Sequence, residues 1–98
     1  MIVRAFGGAG PGPALARRLA DLAERTAPHE CCGLVLRAVG GTETLHPCRN
    51  TAADPRTGFA LHPGDLAAAL ALVDAGATLV AVYHSHPRGP ARLSPADR

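Results

Sequence analysis

The sequence predicts a mixed α/β domain in the order β-α-β-β-β-α-β, and three patterns carry that prediction. Residues 13–25 repeat their leucines at helical spacing. Residues 30–39 and 78–83 are short runs rich in residues that suit a pleated surface. Glycine and proline, 11 and 9 of the 98 residues, cut the chain between these runs.

Residues 1–6 are a short β-compatible opening, followed by Gly7-Gly8-Ala9-Gly10-Pro11-Gly12. That loop has neither a following Lys-Ser/Thr pair nor a secure βαβ context, so it reads as a plain loop and not as a nucleotide cradle. In residues 13–25, Leu15, Leu19 and Leu22 with Ala16, Ala20 and Ala23 form an apolar face, while Arg17, Arg18, Asp21, Glu24 and Arg25 take the other. Pro13 suits a first helical turn, and Pro28 stops the helix by Ala27. Residues 30–39 then form a strand. Gly40-Gly41 offers the positive backbone angles of a tight hairpin, and residues 42–48 return. Residues 50–57 read as loop and residues 58–61 as a short strand. A second helix is expected over residues 63–75, with Leu66, Leu70 and Val73 on one face and Gly76 in the left-handed cap position. Residues 78–83 close the series as a buried strand.

Phe6, Phe59 and Tyr83 are the only aromatic residues, so the core is expected to be aliphatic. All ten basic residues are arginines against eight acids, and the resulting net charge of +2 is too small to imply a nucleic-acid partner. No apolar run follows a basic N-terminal region, and the stretch 66–83 is interrupted by Asp74 and Gly76, short of the roughly 20 residues a spanning helix needs. A soluble cytoplasmic protein without a membrane partner is the expectation. Cys31, Cys32 and Cys48 make an odd count with no Cys-x-x-Cys, which argues for reduced thiols.

The chemistry gathers at His84-Ser85-His86-Pro87. Two residues apart on a strand means the same face, so both imidazoles can reach one metal. Pro87 ends the ladder there and opens the pair to a loop. Taken alone, His-x-His also describes two solvent-facing or hydrogen-bonded histidines. Further along stand Ser94 and Asp97. Two imidazoles with the Asp97 carboxylate leave a fourth zinc position open, the arrangement of a catalytic site. The same triad would also serve a non-haem iron protein. Ser94-Pro95-Ala96-Asp97 has another reading, as a serine-capped helix start. A catalytic site of this kind needs a carboxylate base that is not itself a ligand, and Glu30 is the best-placed candidate, although by spacing alone it equally fits a solvated acid at a strand end.

Pro28-x-Glu30-x-Cys32-Gly33, His84-Ser85-His86-Pro87 and Ser94-x-x-Asp97 together resemble the JAMM (MPN+) zinc metalloproteases, in particular their small bacterial members. The resemblance runs from about Pro28 to Asp97 and takes in the Asn50 loop, the Phe59-x-Leu61 segment and the second helix. It implies a cytidine-deaminase-like α/β fold, a mixed sheet flanked by helices. It also implies hydrolysis of a peptide or isopeptide bond at the diglycine C-terminal tail of a ubiquitin-like or sulfur-carrier protein. Carried over residue by residue, it implies Zn2+ on His84, His86 and Asp97, Glu30 as general base and Ser94 as a stabiliser of the oxyanion. Cys31 and Cys32 are then small buried strand residues. The family domain continues past the Ser-x-x-Asp element, so residues 1–98 are expected to be a single domain shortened at its C-terminal end, with a homodimer as the simplest cover for an exposed face or edge. The alternative from a different class is a catalytically silent MPN-type interaction module, against which the presence of all five motif residues counts.

Overall fold

The structure, a computed structural model, describes residues 2–5 and 12–86. The glycine-rich loop up to Pro11, together with Pro87, Ser94 and Asp97, lies outside the described residues. In chain order the elements are β1 (Ile2–Ala5), α1 (Pro13–Thr26), β2 (Cys32–Arg37), β3 (Glu43–Cys48), α2 (Pro63–Asp74) and β4 (Thr78–His84). The four strands form one sheet in the order β1-β4-β2-β3. All three pairings are antiparallel, so the described sheet is not the mixed one that the resemblance implies. β2 and β4 pair from opposite sides of the second helix in sequence, a long-range choice that strand composition does not encode.

Both faces of β2 are covered, which explains why it reads as a continuous apolar run. Val35 packs with Leu15 and Leu19 of α1, Ala81 and Tyr83 on one side. Cys32, Leu34 and Leu36 pack with Cys48 and Ala69 of α2 on the other, with Phe59, Leu61, Leu66, Val73 and Leu79 around them. α1 therefore presents the stripe its leucine spacing predicts. α2 does not: Leu70 is exposed, and the face turned to the sheet is Leu66, Ala69 and Val73. The cause is composition, because a helix apolar nearly all round carries no periodic mark of its buried side.

β4 carries a bulge. Leu36 pairs with Leu79 and Val35 with Ala81, which leaves Val80 as the extra residue. Beyond the bulge the alternation is reset, so that Leu79 before it and His84 after it, paired with Cys32, lie on the α2 face. The strand that holds the histidines is aimed by this one residue.

Three smaller differences from the sequence reading have local causes. The hairpin between β2 and β3 closes through Ala38 N–H to the Thr42 carbonyl at 2.8 Å and Gly41 N–H to the Ala38 carbonyl at 2.8 Å. That is a three-residue loop, in which Gly41 alone takes a positive φ, of 98°, and Gly40 does not. The strand expected over 58–61 is reduced to a single bridge between Asn50 and Leu61, because the preceding residues are held by side-chain bonds described below. α2 ends in the double bond of a Schellman motif, with Gly76 N–H on the Val73 carbonyl at 3.0 Å and Ala77 N–H on the Leu72 carbonyl at 3.0 Å. Gly76 has the positive φ, of 118°, that this cap requires.

Gly33 is a packing requirement. A Cβ there would sit 2.5 Å from the His46 carbonyl oxygen and 2.5 Å from the Tyr83 hydroxyl, whose wholly buried ring crosses the β2 backbone at that point. Neither neighbour can retreat, since one is backbone and the other is enclosed. Gly33→Ala is expected to destabilise the fold by about 1–3 kcal/mol, measured as a lower denaturation midpoint with unchanged slope; an unaltered midpoint would show that the Tyr83 ring has room to move.

Candidate metal centre

The site forms where β4 leaves the sheet. His84 is the last residue of β4, flanked in register by Cys32 of β2 and Ile2 of β1. His86 lies beyond the strand end, so the pair straddles the exit of β4 instead of sitting on one strand face. The rings nevertheless come together, with centroids 5.1 Å apart and planes tilted by 49°. Between them, Ser85 turns inward and is buried. Its Oγ accepts the Cys31 N–H at 2.8 Å, and its own N–H donates to the Cys31 carbonyl at 3.0 Å. Ser85 thereby fixes the exit of β4 to the residue after Glu30.

Glu30 is buried, at 2% exposure, and is not the solvated acid its spacing alone allowed. β2 begins at Cys32, so Glu30 precedes the strand and its main chain bonds elsewhere. Its N–H donates to the Pro55 carbonyl at 2.7 Å, and its carbonyl accepts from Asn50 Nδ2 at 3.1 Å. Its Oε1 lies 3.2 Å from His84 Nδ1, a hydrogen bond whenever that nitrogen carries the proton. Glu30, His84 and His86 offer ligand atoms that all lie within 4.8 Å of one another, and are the one such group of metal-binding type among the described residues.

Two further residues shape the centre. Phe59 stacks on the His84 ring, with centroids 4.3 Å apart and an interplanar angle of 18°. Asn50 bonds to Glu30 and to the loop that carries Phe59. Neither was assigned a role from sequence. The available signal for Asn50 was its place at a strand exit before a Pro- and Gly-containing loop, where Asn side chains commonly bond to backbone. For Ser85 it was its place between the two histidines, where the alternation of an extended chain sets the middle side chain opposite its neighbours.

Beside Glu30 runs an open groove of about 490 Å³, lined in part by Thr26, His29, Cys48, Arg49 and His62. At its rim His62 caps α2 by accepting the Asp65 N–H at 3.2 Å. Arg49 bonds the Asp65 carboxylate through Nε at 3.0 Å and through the second guanidinium arm at 3.1 Å, and this holds the carboxyl well below its usual range. The three cysteines are free and buried. Burial pushes the Cys32 thiol up to about 12 and raises that of Cys48, so neither supplies a thiolate at neutral pH, in keeping with the structural role expected of Cys32. No helix among the described residues is long and apolar enough to cross a membrane.

The chain is 42% identical over 74 residues to a protein of Thermus thermophilus named as a probable TtuB-protein conjugate cleaving protease, covering 74% of this chain and 49% of that one. It is 39% identical over 75 residues to the desampylase of Haloferax volcanii, covering 72% and 53%. It is also 41% identical over 71 residues to tail tip assembly protein K of Escherichia phage N15, covering 72% and 27%. The chain thus spans between about a quarter and about a half of the length of these relatives. No solved structure matches it. The family model described as prokaryotic homologs of the JAB domain matches residues 13–98, from α1 through Glu30 and the two histidines to the end, and the chain belongs to that family.

Proposed function

We propose that this chain carries the catalytic centre of a zinc-dependent peptidase or isopeptidase acting at the C-terminal tail of a ubiquitin-like or sulfur-carrier protein. One observation carries the reading: Glu30, His84 and His86 converge within 4.8 Å at the mouth of a strand. Family members in Thermus and Haloferax named for conjugate cleavage and desampylation support it. The donor set fits the metal, since zinc takes imidazole nitrogen and carboxylate oxygen and a catalytic site keeps a position open.

His84, His86 and Asp97 would hold the ion. When bound, zinc supplies a Lewis acid for the scissile carbonyl and lowers the pKa of its water to about 7. Glu30 takes the proton released in the attack and returns it to the departing amine. Its burial and its two main-chain anchors keep the carboxylate in one place without solvent to compete for it. The Ser94 hydroxyl donates to the substrate oxygen as negative charge develops there. A diglycine tail has no side chains to obstruct its path along the open groove beside Glu30.

The deciding experiment is incubation of zinc-loaded protein, both as this chain and at the full length of its relatives, with a ubiquitin-like protein whose diglycine tail is extended by an amide-linked peptide. Cleavage directly after the second glycine, stopped by a chelator, is expected in mass spectra. A zinc-loaded full-length form inactive on a panel of such substrates would favour the second reading, a silent interaction module, which the assembly name of the phage N15 relative supports.

A further inference from the structure

We propose that Asn50 is a positioning residue for both halves of this centre, holding the base and one metal-binding histidine with a single side chain. The proposal rests on the peptidase reading above for what the positioned groups do. Its physical basis is the way the Asn50 amide is used. Nδ2 donates to the carbonyls of Glu30 at 3.1 Å and Gly58 at 3.0 Å, with the Pro55 carbonyl at 3.5 Å. Oδ1 accepts the N–H of Ala52 at 3.0 Å and of Ala60 at 3.1 Å. Both donors and both lone pairs are therefore committed.

Two of these bonds bracket one residue. The Gly58 carbonyl and the Ala60 N–H stand on either side of Phe59, so the amide fixes the backbone from which that ring projects. A third bond, to the Glu30 carbonyl, sets the main chain of the base. Phe59 lies flat on His84, and Glu30 meets His84 at Nδ1, so the imidazole is held from its face and from its edge by two residues that answer to the same amide. The segment from Thr51 to Ala60 includes no helix or strand of its own, and apart from the amide it is held by Thr51 N–H and Oγ1 on the Ala60 carbonyl, 2.8 and 3.2 Å, by the Glu30 N–H on the Pro55 carbonyl, 2.7 Å, and by a turn at Asp54. Without the amide its geometry would rest on those bonds alone.

Asn50→Asp separates the two uses of the side chain: it keeps an acceptor for Ala52 and Ala60 but turns an acceptor oxygen toward the Glu30 and Gly58 carbonyls. The first readout needs neither metal nor turnover. In metal-free protein the His84 ring protons, lying over the face of Phe59, are expected upfield in histidine-labelled NMR spectra, and Phe59→Leu supplies the unstacked reference. Asn50→Asp should move them more than halfway to that reference, while His46, bonded to Thr44 on β3, stays in place. Zinc affinity should fall about 10- to 100-fold, the usual cost of losing a residue that orients a ligand, and kcat should drop with KM little changed. His84 signals left at their wild-type positions would overturn the proposal, whatever the loss in thermal stability. If Asn50→Asp does not fold, the shorter and uncharged Asn50→Ser takes its place, and failure of both to fold reduces Asn50 to a structural residue and ends the proposal. Wild-type protein that binds no zinc overturns the peptidase reading instead, a result distinct from any His84 shift.

Discussion

Glu30→Gln is expected to lower turnover by about 100- to 10,000-fold, the range over which a positioned general base contributes, and to leave zinc bound. The amide matches the carboxylate in shape, so the buried pocket stays filled, and the bonds with Pro55 and with the Asn50 side chain, which use only the main chain of residue 30, persist. An amide oxygen can still accept from His84 Nδ1, yet the side chain cannot take up a proton. Zinc content by elemental analysis and turnover on a diglycine-tailed fusion are the paired measurements. Full turnover in the zinc-loaded variant would remove Glu30 as base. Zinc lost together with turnover would make Glu30 a ligand, a role for which its place within 4.8 Å of both histidines provides the geometry.

His84→Ala and His86→Ala are each expected to weaken zinc binding by more than the roughly 10- to 100-fold that an outer-shell change costs, but the two variants should differ in stability. His84 is stacked on Phe59 and paired with the buried Glu30 side chain, so its removal leaves a polar group without its partner, at a cost of about 1–3 kcal/mol. His86 is exposed past the strand end, where its ring also meets His84, so its loss should cost the fold less than the loss of His84 does. Zinc titration against a chromophoric competitor, with denaturant melts of the metal-free proteins, distinguishes them. Unchanged affinity in either variant would take that histidine out of the site, and equal stability of the two would show that the His84 contacts carry no more folding energy than those of His86.

What the sequence by itself determined was local. The leucine spacing of α1, the continuous apolar run of β2, the proline and glycine at the two ends of α2 and the histidine pair at the end of β4 are each decided within a few residues of the chain, by helical period, pleat or cap geometry. The family was legible for a different reason, because Pro28-x-Glu30-x-Cys32-Gly33, His84-Ser85-His86-Pro87 and Ser94-x-x-Asp97 are residue types at set spacings that can be read without knowing how the chain folds around them. Tertiary structure alone decided the strand order β1-β4-β2-β3, since antiparallel partners are chosen across long loops by which faces can be buried together. It decided the buried side of α2, where a nearly uniform apolar surface offered no stripe to read. It decided the aim of His84, because strict alternation from Leu79 would turn that ring to the opposite face and the bulge at Val80 turns it back. The same holds for Glu30 and Asn50. A glutamate at a strand entrance and an asparagine at a strand exit look solvated in sequence, and only the packing of residues 51–60 beside them, with Glu30 buried and Asn50 half-buried, lets their backbone and side-chain polar groups be satisfied within the fold.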